Sequence, residues 1–345
     1  MSFYKRAASL VLTIAVLLAF ALCGCNGGCN GGCNGCGQGV NGKAEKGKDG
    51  LFVVFIDVGE GDSAFVKFPD GKTLLVDCGE ADGKGRNYDK IEKVLTEYSV
   101  VKLDYLLLTH ADSDHTGNAE RLIKKFAPNT AFMPFALYAE SFPFLKRACD
   151  ALKETGGKVE YSEKFKGFSG ENYKATLLSP RPLDFLDSEY DAFNKTADPT
   201  EKVRNDISAI LYVEYNGVRF LFAGDAGCAP QLNVLRDVQS GLLAQAGVSL
   251  QNIDFFKVPH HGAADSVCLT LWEYLKPKNA VFSVSSDNLY GHPSDRALQT
   301  LDNLNPDYTL FRTDTDGNVT VFVGNDAYSV TASEKQKVTP LNLTV

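Results

Sequence analysis

The chain has 345 residues, a formal net charge of −8 at pH 7, and ordinary shares of hydrophobic (44%) and charged (23%) residues. This composition excludes a chain that is disordered throughout and one that is embedded in a membrane throughout. The acidic balance also lacks the overall basic footprint of a typical nucleic-acid-binding protein, so DNA binding would need a local basic patch or metal ions.

The N-terminus has the pattern of a secretory signal. Lys5 and Arg6 precede an apolar run, 10–22, that is too short for a comfortable membrane span. The run ends in Leu-Cys-Gly-Cys at Cys25, which resembles the bacterial lipobox. We therefore expect residues 1–24 to be a lipoprotein signal peptide and Cys25 to carry a lipid anchor at the extracytoplasmic face of a bacterial cell membrane. An uncleaved anchor and a simple secretory signal are the alternatives.

Residues 25–50 form a Cys/Gly/Asn-rich segment in which Cys-Asn-Gly repeats with a period of four. We interpret it as a flexible linker, because Gly and Asn without apolar residues cannot bury a core. Thiolates at this spacing could also bind soft metal ions. The four remaining cysteines are either buried hydrophobic residues, which we favour, or disulfide partners that the sequence cannot assign: Cys78, Cys149, Cys228 and Cys268.

The folded domain is predicted over 51–345 and opens with a β-meander. Alternation of β-branched or aromatic runs with helical periodicity predicts the elements that follow. Strands are predicted over 51–57, 63–68, 73–76, 103–108, 208–215, 218–222, 254–258, 280–285, 308–312 and 318–323, and helices over 88–98, 115–126, 229–246 and 266–275. The middle of the chain, 127–200, gives no clear pattern, and its end, 183–200, is predicted to be an exposed loop.

Four potential metal ligands lie within six residues at the end of a predicted buried strand: His110, Asp112, Asp114 and His115. Imidazole and carboxylate groups are the ligands of zinc, manganese and iron, and without a cation these carboxylates would repel one another. The alternative is a solvated acidic loop that caps a helix. The two histidines favour the metal.

Two further strand ends carry ligand-type residues. Asp225 follows the strand 218–222, and the pair His260 and His261 follows the strand 254–258. Three strands are thus predicted to deliver ligands to one edge of the fold.

The pattern His-x-Asp-x-Asp-His resembles the metal signature of the metallo-β-lactamase superfamily, in the form found in the hydrolase domain of the competence protein ComEC family. Supporting stretches lie at 55–63, 75–79, 205–208 and 291–293. The resemblance implies an α/β fold, specifically an αββα four-layer sandwich, with two divalent metal ions, zinc rather than manganese.

The resemblance also implies roles for individual residues. His110 and Asp112 would hold the first metal, and Asp114 and His115 would hold the second together with His260 or His261. We prefer His260 because it lies closer to the strand end. The bridging ligand would be Asp225, with Asp77 orienting the ligand loop. Asn205 and Asp206 stand where the wider superfamily places a histidine and are assigned to the ligands' surroundings or to substrate contact. Asp114 and His292 are the expected catalytic residues, His292 as proton donor.

These features predict a monomeric metal-dependent hydrolase in which two metals activate a water molecule. The resemblance points to a phosphodiesterase or nuclease, with extracellular DNA as the leading substrate. A surface phosphoesterase acting on small or wall-linked phosphoesters, such as phosphocholine, is the first alternative. A non-catalytic surface-binding lipoprotein of the same fold is the second alternative. A true β-lactamase is disfavoured because Asp112 replaces the second histidine of the superfamily motif.

Overall fold

Fifteen strands form two sheets in the computed structural model, which describes residues 49–134, 142–180, 201–325 and 327–334. The strands in chain order are β1 Leu51–Phe55, β2 Ala64–Lys67, β3 Thr73–Val76, β4 Tyr105–Leu107, β5 Thr130–Met133, β6 Lys158–Tyr161, β7 Gly167–Gly170, β8 Tyr173–Ser179, β9 Ile210–Tyr215, β10 Val218–Phe222, β11 Phe255–Lys257, β12 Asn279–Phe282, β13 Thr309–Arg312, β14 Val319–Val323 and β15 Tyr328–Ala332.

Helices connect and cover these strands within the same described residues. They are α1 Arg86–Glu97, α2 Ser113–Thr116, α3 Ala119–Phe126, α4 Pro143–Thr155, α5 Glu201–Asp206, α6 Cys228–Gln239, α7 Leu242–Gln245, α8 Leu269–Leu275, α9 Asp295–Leu304 and α10 Thr313–Asp316, with short 3₁₀ turns at Pro259–Gly262 and Ala264–Ser266. None of the described helices is long and apolar enough to cross a membrane.

Each sheet is antiparallel in one half and parallel in the other. The first sheet has the order β15-β14-β1-β2-β3-β4-β5-β6, and its strands from β3 to β6 are parallel. The second sheet has the order β13-β12-β11-β10-β9-β8-β7, and its strands from β10 to β13 are parallel. Parallel neighbours end at the same edge of a sheet, so the loops that follow them meet there.

Three separate hydrophobic cores show that these elements pack as four layers. Alternate residues of β1 divide between two of the cores, because side chains alternate across a strand. Leu51 and Val53 pack between the two sheets against β9 and β10, whereas Phe52 and Val54 pack against the helices on the outer face of the first sheet. On the far side of the second sheet, Trp272 and its neighbours bury that sheet's outer face. The predicted α/β fold of two sheets between helices is confirmed.

The predicted helix over 115–126 is divided into α2 and α3. A Cβ atom on Gly117 would lie 2.3 Å from the backbone nitrogen of Ala81, so only glycine fits this contact. The side-chain amide of Asn118 donates hydrogen bonds to the carbonyl oxygens of Cys78 and Glu80, both at 2.9 Å. These contacts tie the break to the loop after β3 and fix the ligand-bearing turn α2.

The described residues in the middle of the chain form regular elements where the sequence pattern predicted nothing definite. Residues 130–134 and 142–179 supply β5 to β8 and α4. The predicted loop 183–200, the signal peptide, Cys25 and nearly all of the linker lie outside the described residues, and these assignments remain predictions, as do the domain bounds.

Candidate metal centre

The candidate site lies at the edge where parallel strands of both sheets end. Asp77 follows β3, His110 follows β4, Asp225 follows β10, and His261 follows β11. The turn α2 carries Asp114 and His115 to the same place. The topology therefore brings together residues that are far apart in the chain, such as Asp77 and His261, which are separated by 184 positions.

Four side chains form a compact donor set: Asp114, His115, Asp225 and His261. Each offers one ligand-type atom, and these four atoms all lie within 4.8 Å of one another. The Nε2 atom of His115 is 3.2 Å from Oδ1 of Asp225, and the Nε2 atom of His261 is 3.2 Å from Oδ2 of Asp114. Two imidazoles and two carboxylates at this spacing can hold one divalent cation.

The outer nitrogens of the imidazole rings are held by fixed partners. Nδ1 of His115 donates to the carboxylate of Asp77 at 2.9 Å, and Nδ1 of His261 donates to the carbonyl oxygen of Ser283 at 2.9 Å. Since a carbonyl oxygen can only accept, the Nδ1 atom of His261 must carry the proton. When the rings are neutral, Nε2 therefore carries no proton, and its lone pair points to the centre and is free to bind a metal.

His110 is oriented by a similar chain of hydrogen bonds. The hydroxyl of Thr109 donates to Asp77 at 2.7 Å, so the same hydroxyl oxygen accepts from Nδ1 of His110 at 3.1 Å. The Nε2 atom of His110 then faces Asp225, 3.8 Å from its Oδ2 atom. Asp77 is thereby the common anchor of two inward-facing histidines, directly for His115 and through Thr109 for His110.

Buried polar atoms without hydrogen bonds show that this donor set fits a metal ion. Within the described residues, Nε2 of His110, Nε2 of His115 and Oδ1 of Asp225 are all buried and satisfied by no hydrogen bond. Leaving such atoms unsatisfied costs free energy, and a cation at their centre would remove that cost. The residues present therefore fit the divalent metal that the fold implies.

Protons take up part of this charge balance when no cation is present. Burial opposes a charged imidazolium at His115, but Asp225, Asp114 and Asp77 together raise its pKa well above the usual value. Burial also opposes the charged form of His261, yet Asp225 and Asp114 raise its pKa to about 9. The pKa of Asp225 is held well below its usual range despite burial, because imidazolium neighbours stabilise the carboxylate. A metal ion must therefore compete with protons here.

His110 differs from the other two ligand-type histidines. Its ring is fully buried, and burial followed by repulsion from His115 lowers its pKa. His110 is thus neutral at pH 7, which is the form that binds metal.

The residues predicted for the first metal and for its surroundings do not gather into a second donor set. Asp112 lines the cleft, where its carboxylate pairs with the guanidinium of Arg204. Asp206 pairs with Lys202, and its Oδ1 atom would lie 2.3 Å from a Cβ atom on Gly227. Asn205 is buried and its Oδ1 atom makes no hydrogen bond. Among these residues only His110 faces the donor set.

The two adjacent histidines point to different places. His261 belongs to the donor set, whereas His260 lies on the cleft wall, with Nε2 4.0 Å from Asp225 and 3.6 Å from Glu201. Both residues have left-handed backbone conformations, with φ of 50° and 54°, which are uncommon outside glycine and asparagine. This tight turn, rather than distance from the strand end, decides which ring faces inward. The geometry therefore favours His261 as the ligand, in place of the His260 preferred from the sequence.

His292 lies beside the donor set without joining it. Its ring centroid is 6.0 Å from that of His261, and its Nδ1 atom is 3.5 Å from Oε1 of Glu60. Both of these atoms are buried and make no hydrogen bond among the described residues. His292 is thus placed on the cleft wall, where a substrate could reach it.

One buried ion pair supports the site and was not singled out from the sequence. Lys257, the last residue of β11, is 3% exposed and pairs with Asp62. The other oxygen of Asp62 is 3.5 Å from Nδ1 of His261. A lysine that ends an apolar strand three residues before a histidine pair is the sequence signal that could have identified it.

A cleft of about 800 Å³ opens over the donor set. Asp114, Asp225 and His261 lie at its base, and its walls include His260 and His292. The site is therefore accessible to a molecule larger than water.

The comparisons with known proteins agree with this arrangement. Residues 56–285 match the family model of the metallo-beta-lactamase superfamily. That range covers two thirds of the chain and contains the whole donor set. The chain therefore belongs to the metallo-β-lactamase superfamily.

The chain is also similar to the ComE operon protein 3 of Bacillus subtilis (strain 168), at 28% identity over 283 residues. The match covers 77% of this chain but only 32% of that protein, so the chain spans about a third of the relative's length. The resemblance to the ComEC family is thereby confirmed.

Solved structures of low sequence identity also match this chain. CmlA, a diiron β-hydroxylase from Streptomyces venezuelae, is 14% identical with a TM-score of 0.47, over 80% of this chain and 55% of that one. Igni18, a metallo hydrolase from Ignicoccus hospitalis, is 12% identical with a TM-score of 0.44, over 78% and 98%. YhfI from Bacillus subtilis is 11% identical with a TM-score of 0.42, over 76% and 96%.

Proposed function

We propose that this protein is a metal-dependent phosphodiesterase. The observation that carries the proposal is the set of buried, inward-facing Nε2 and carboxylate atoms at the base of an open cleft. The likeness of its His-x-Asp-x-Asp-His motif to ComEC-type hydrolases supports a phosphodiester over a carbonyl substrate.

In this proposal Asp114, His115, Asp225 and His261 hold one divalent ion, for which zinc is the preferred candidate. His110 and Asp112 would contribute to a second, weaker ion, because Asp112 must first be released from Arg204. A bound divalent ion supplies Lewis acidity and lowers the pKa of coordinated water.

The remaining steps belong to the protein's own side chains. Asp77 holds His115 in the tautomer that presents Nε2. Asp225 lies between His110 and His115, where its carboxylate would contribute an oxygen ligand to either ion. In this proposal His292, which lies beside Glu60 on the cleft wall, donates a proton to the leaving oxygen.

The first test is hydrolysis of bis-p-nitrophenyl phosphate by the full chain with added zinc or manganese. We expect metal-dependent turnover that is lost in the Asp114→Ala, His115→Ala double variant. Glu273→Gln is the control, since this exposed residue of α8 lies outside the cleft. No turnover by protein that contains bound metal would reject the phosphodiesterase, and an absence of bound metal would favour a non-catalytic binding protein.

The location of the protein is a separate proposal, supported by the sequence alone. A lipid on Cys25 would anchor it at the extracytoplasmic face of a bacterial membrane. The full chain should incorporate labelled palmitate. The Cys25→Ser variant should lose this labelling, and the Cys36→Ser variant should keep it. Equal labelling of both variants would reject Cys25 as the anchor. We also expect a monomer, which size-exclusion chromatography with light scattering can test.

A further inference from the structure

The charged side chains that line the cleft over the donor set are mainly acidic. Among the described lining residues there is one guanidinium, that of Arg204, which is already paired with Asp112. Eight carboxylates line the same cleft: Glu60, Glu80, Asp112, Asp114, Glu201, Asp225, Asp265 and Asp287. Five of them lie outside the residues proposed to hold metal.

Bound metal would not reverse this charge. Eight carboxylates and one guanidinium give a formal charge of −7, and two divalent ions would bring it to −3 with neutral histidines. A nucleic acid strand carries a charge at every phosphate and would meet repulsion beyond the one phosphoryl group bound by metal.

A shifted pKa reflects the same negative field. Partial burial raises the pKa of Glu80, and so do the neighbouring charges of Asp114, Glu60 and Asp82. Carboxylates on this wall are thus close enough to destabilise one another, and a cationic group would relieve that repulsion.

An exposed aromatic ring stands at the cleft. Tyr290 is 75% exposed, and one face of its ring stacks on His292, with centroids 5.7 Å apart and planes 19° from parallel. Leu289, beside it, is 97% exposed. A tyrosine face near carboxylates is a suitable surface for an alkylammonium group. At the base of the same cleft, the unsatisfied Oδ1 atom of the buried Asp225 marks the metal-binding end.

Resting on the phosphodiesterase proposed above, we infer that the substrate is a phosphodiester whose alcohol part carries an alkylammonium group, as in phosphocholine or phosphoethanolamine esters. The phosphoryl group lies over the donor set, and the cation lies between Tyr290 and the carboxylates of Glu60 and Asp287. The negative charges of the cleft carboxylates disfavour DNA as the substrate.

The test compares two substrates that release the same p-nitrophenolate. They are p-nitrophenyl phosphorylcholine, which carries the cation, and the p-nitrophenyl ester of thymidine 5′-monophosphate, which does not. We expect metal-loaded full chain to prefer the choline ester by at least about tenfold in kcat/KM, and the preference to shrink at high salt.

Variants then test whether Tyr290 and Asp287 cause this preference for the choline ester. Tyr290→Ala should reduce it about two- to fivefold, whereas Tyr290→Phe should retain it, since the ring face remains. Asp287→Asn should reduce it by about fivefold. Asp307→Asn removes an equal charge from an exposed residue outside the cleft and is expected to leave both substrates within twofold.

The outcomes separate the two proposals. Equal turnover of both esters, or preference for the thymidine ester, would overturn the inference and leave the phosphodiesterase standing. If neither ester is cleaved, the phosphodiesterase proposal fails. Calorimetric binding of phosphorylcholine against thymidine monophosphate then decides the inference, which is overturned unless phosphorylcholine binds more tightly. Cleavage of phosphatidylcholine vesicles against soluble glycerophosphocholine would distinguish a lipid headgroup from a soluble source.

Discussion

Replacing Asp77 with asparagine tests the view that the metal centre depends on a fixed histidine tautomer. Asp77 is fully buried, and its φ of 57° is one that asparagine adopts readily. The new amide oxygen can still accept the backbone N–H of Thr109, now bonded at 2.8 Å. The amide nitrogen, however, would face Nδ1 of His115, now 2.9 Å from the carboxylate.

The expected loss follows from this change of partner. An amide N–H cannot accept the proton of Nδ1, so His115 would move that proton to Nε2 and block its metal-binding lone pair. Loss of such an orienting carboxylate typically costs 10- to 100-fold in metal affinity, which corresponds to about 1.4–2.8 kcal/mol. The remaining hydrogen bond to Thr109 should limit the loss of folding stability to about 1–3 kcal/mol.

The assay is zinc affinity measured by competition with a chromogenic chelator, with urea unfolding measured in parallel. Asp254→Asn is the matched control, because Asp254 is also a buried carboxylate that accepts a backbone N–H, at 2.9 Å from Arg219, but at the opposite end of β11. We expect it to lose stability and keep zinc affinity. Unchanged affinity in Asp77→Asn, or an equal loss in Asp254→Asn, would refute the tautomer argument.

Four further predictions concern the same centre. His261→Ala should weaken zinc binding about 100-fold or more while His260→Ala stays within a few fold, and equal losses in chelator competition would contradict the inward position of His261. Because the pKa of metal-free His261 is about 9 instead of 6.5, zinc must displace its proton at pH 7.5. Calorimetry in two buffers should show proton release, with affinity rising up to about pH 9. The same raised pKa of His261 stabilises the metal-free fold most below pH 6.5, and this stabilisation is lost as pH rises through 9. The thermal unfolding temperature of metal-free protein should therefore fall over that pH range, and an unchanged temperature would contradict the raised pKa. Lys257→Met leaves Asp62 as an unpaired buried charge, so urea unfolding should show a loss of about 3–5 kcal/mol, whereas a loss under 1 kcal/mol would show that the pair is not needed.

Local patterns in the sequence were enough to predict most of the fold. Strands such as β1 and β10 are apolar runs of strand length ended by turn residues, and their bounds agree with the prediction to within two residues. The break between α2 and α3 was missed because it depends on contacts of Gly117 and Asn118 with a loop almost forty residues earlier. No local pattern contains such a contact.

The sequence by itself determined the family motif and the chemical type of the centre, because four ligand-type residues in six positions leave few other interpretations. Only the tertiary structure decided which donors meet. The left-handed turn at His260 and His261 selects the second ring, the pairing of Asp112 with Arg204 leaves the first set incomplete, and the acidic wall of the cleft assembles from distant loops. Each of these depends on where separate strands end in space, which residue spacing along one chain does not specify.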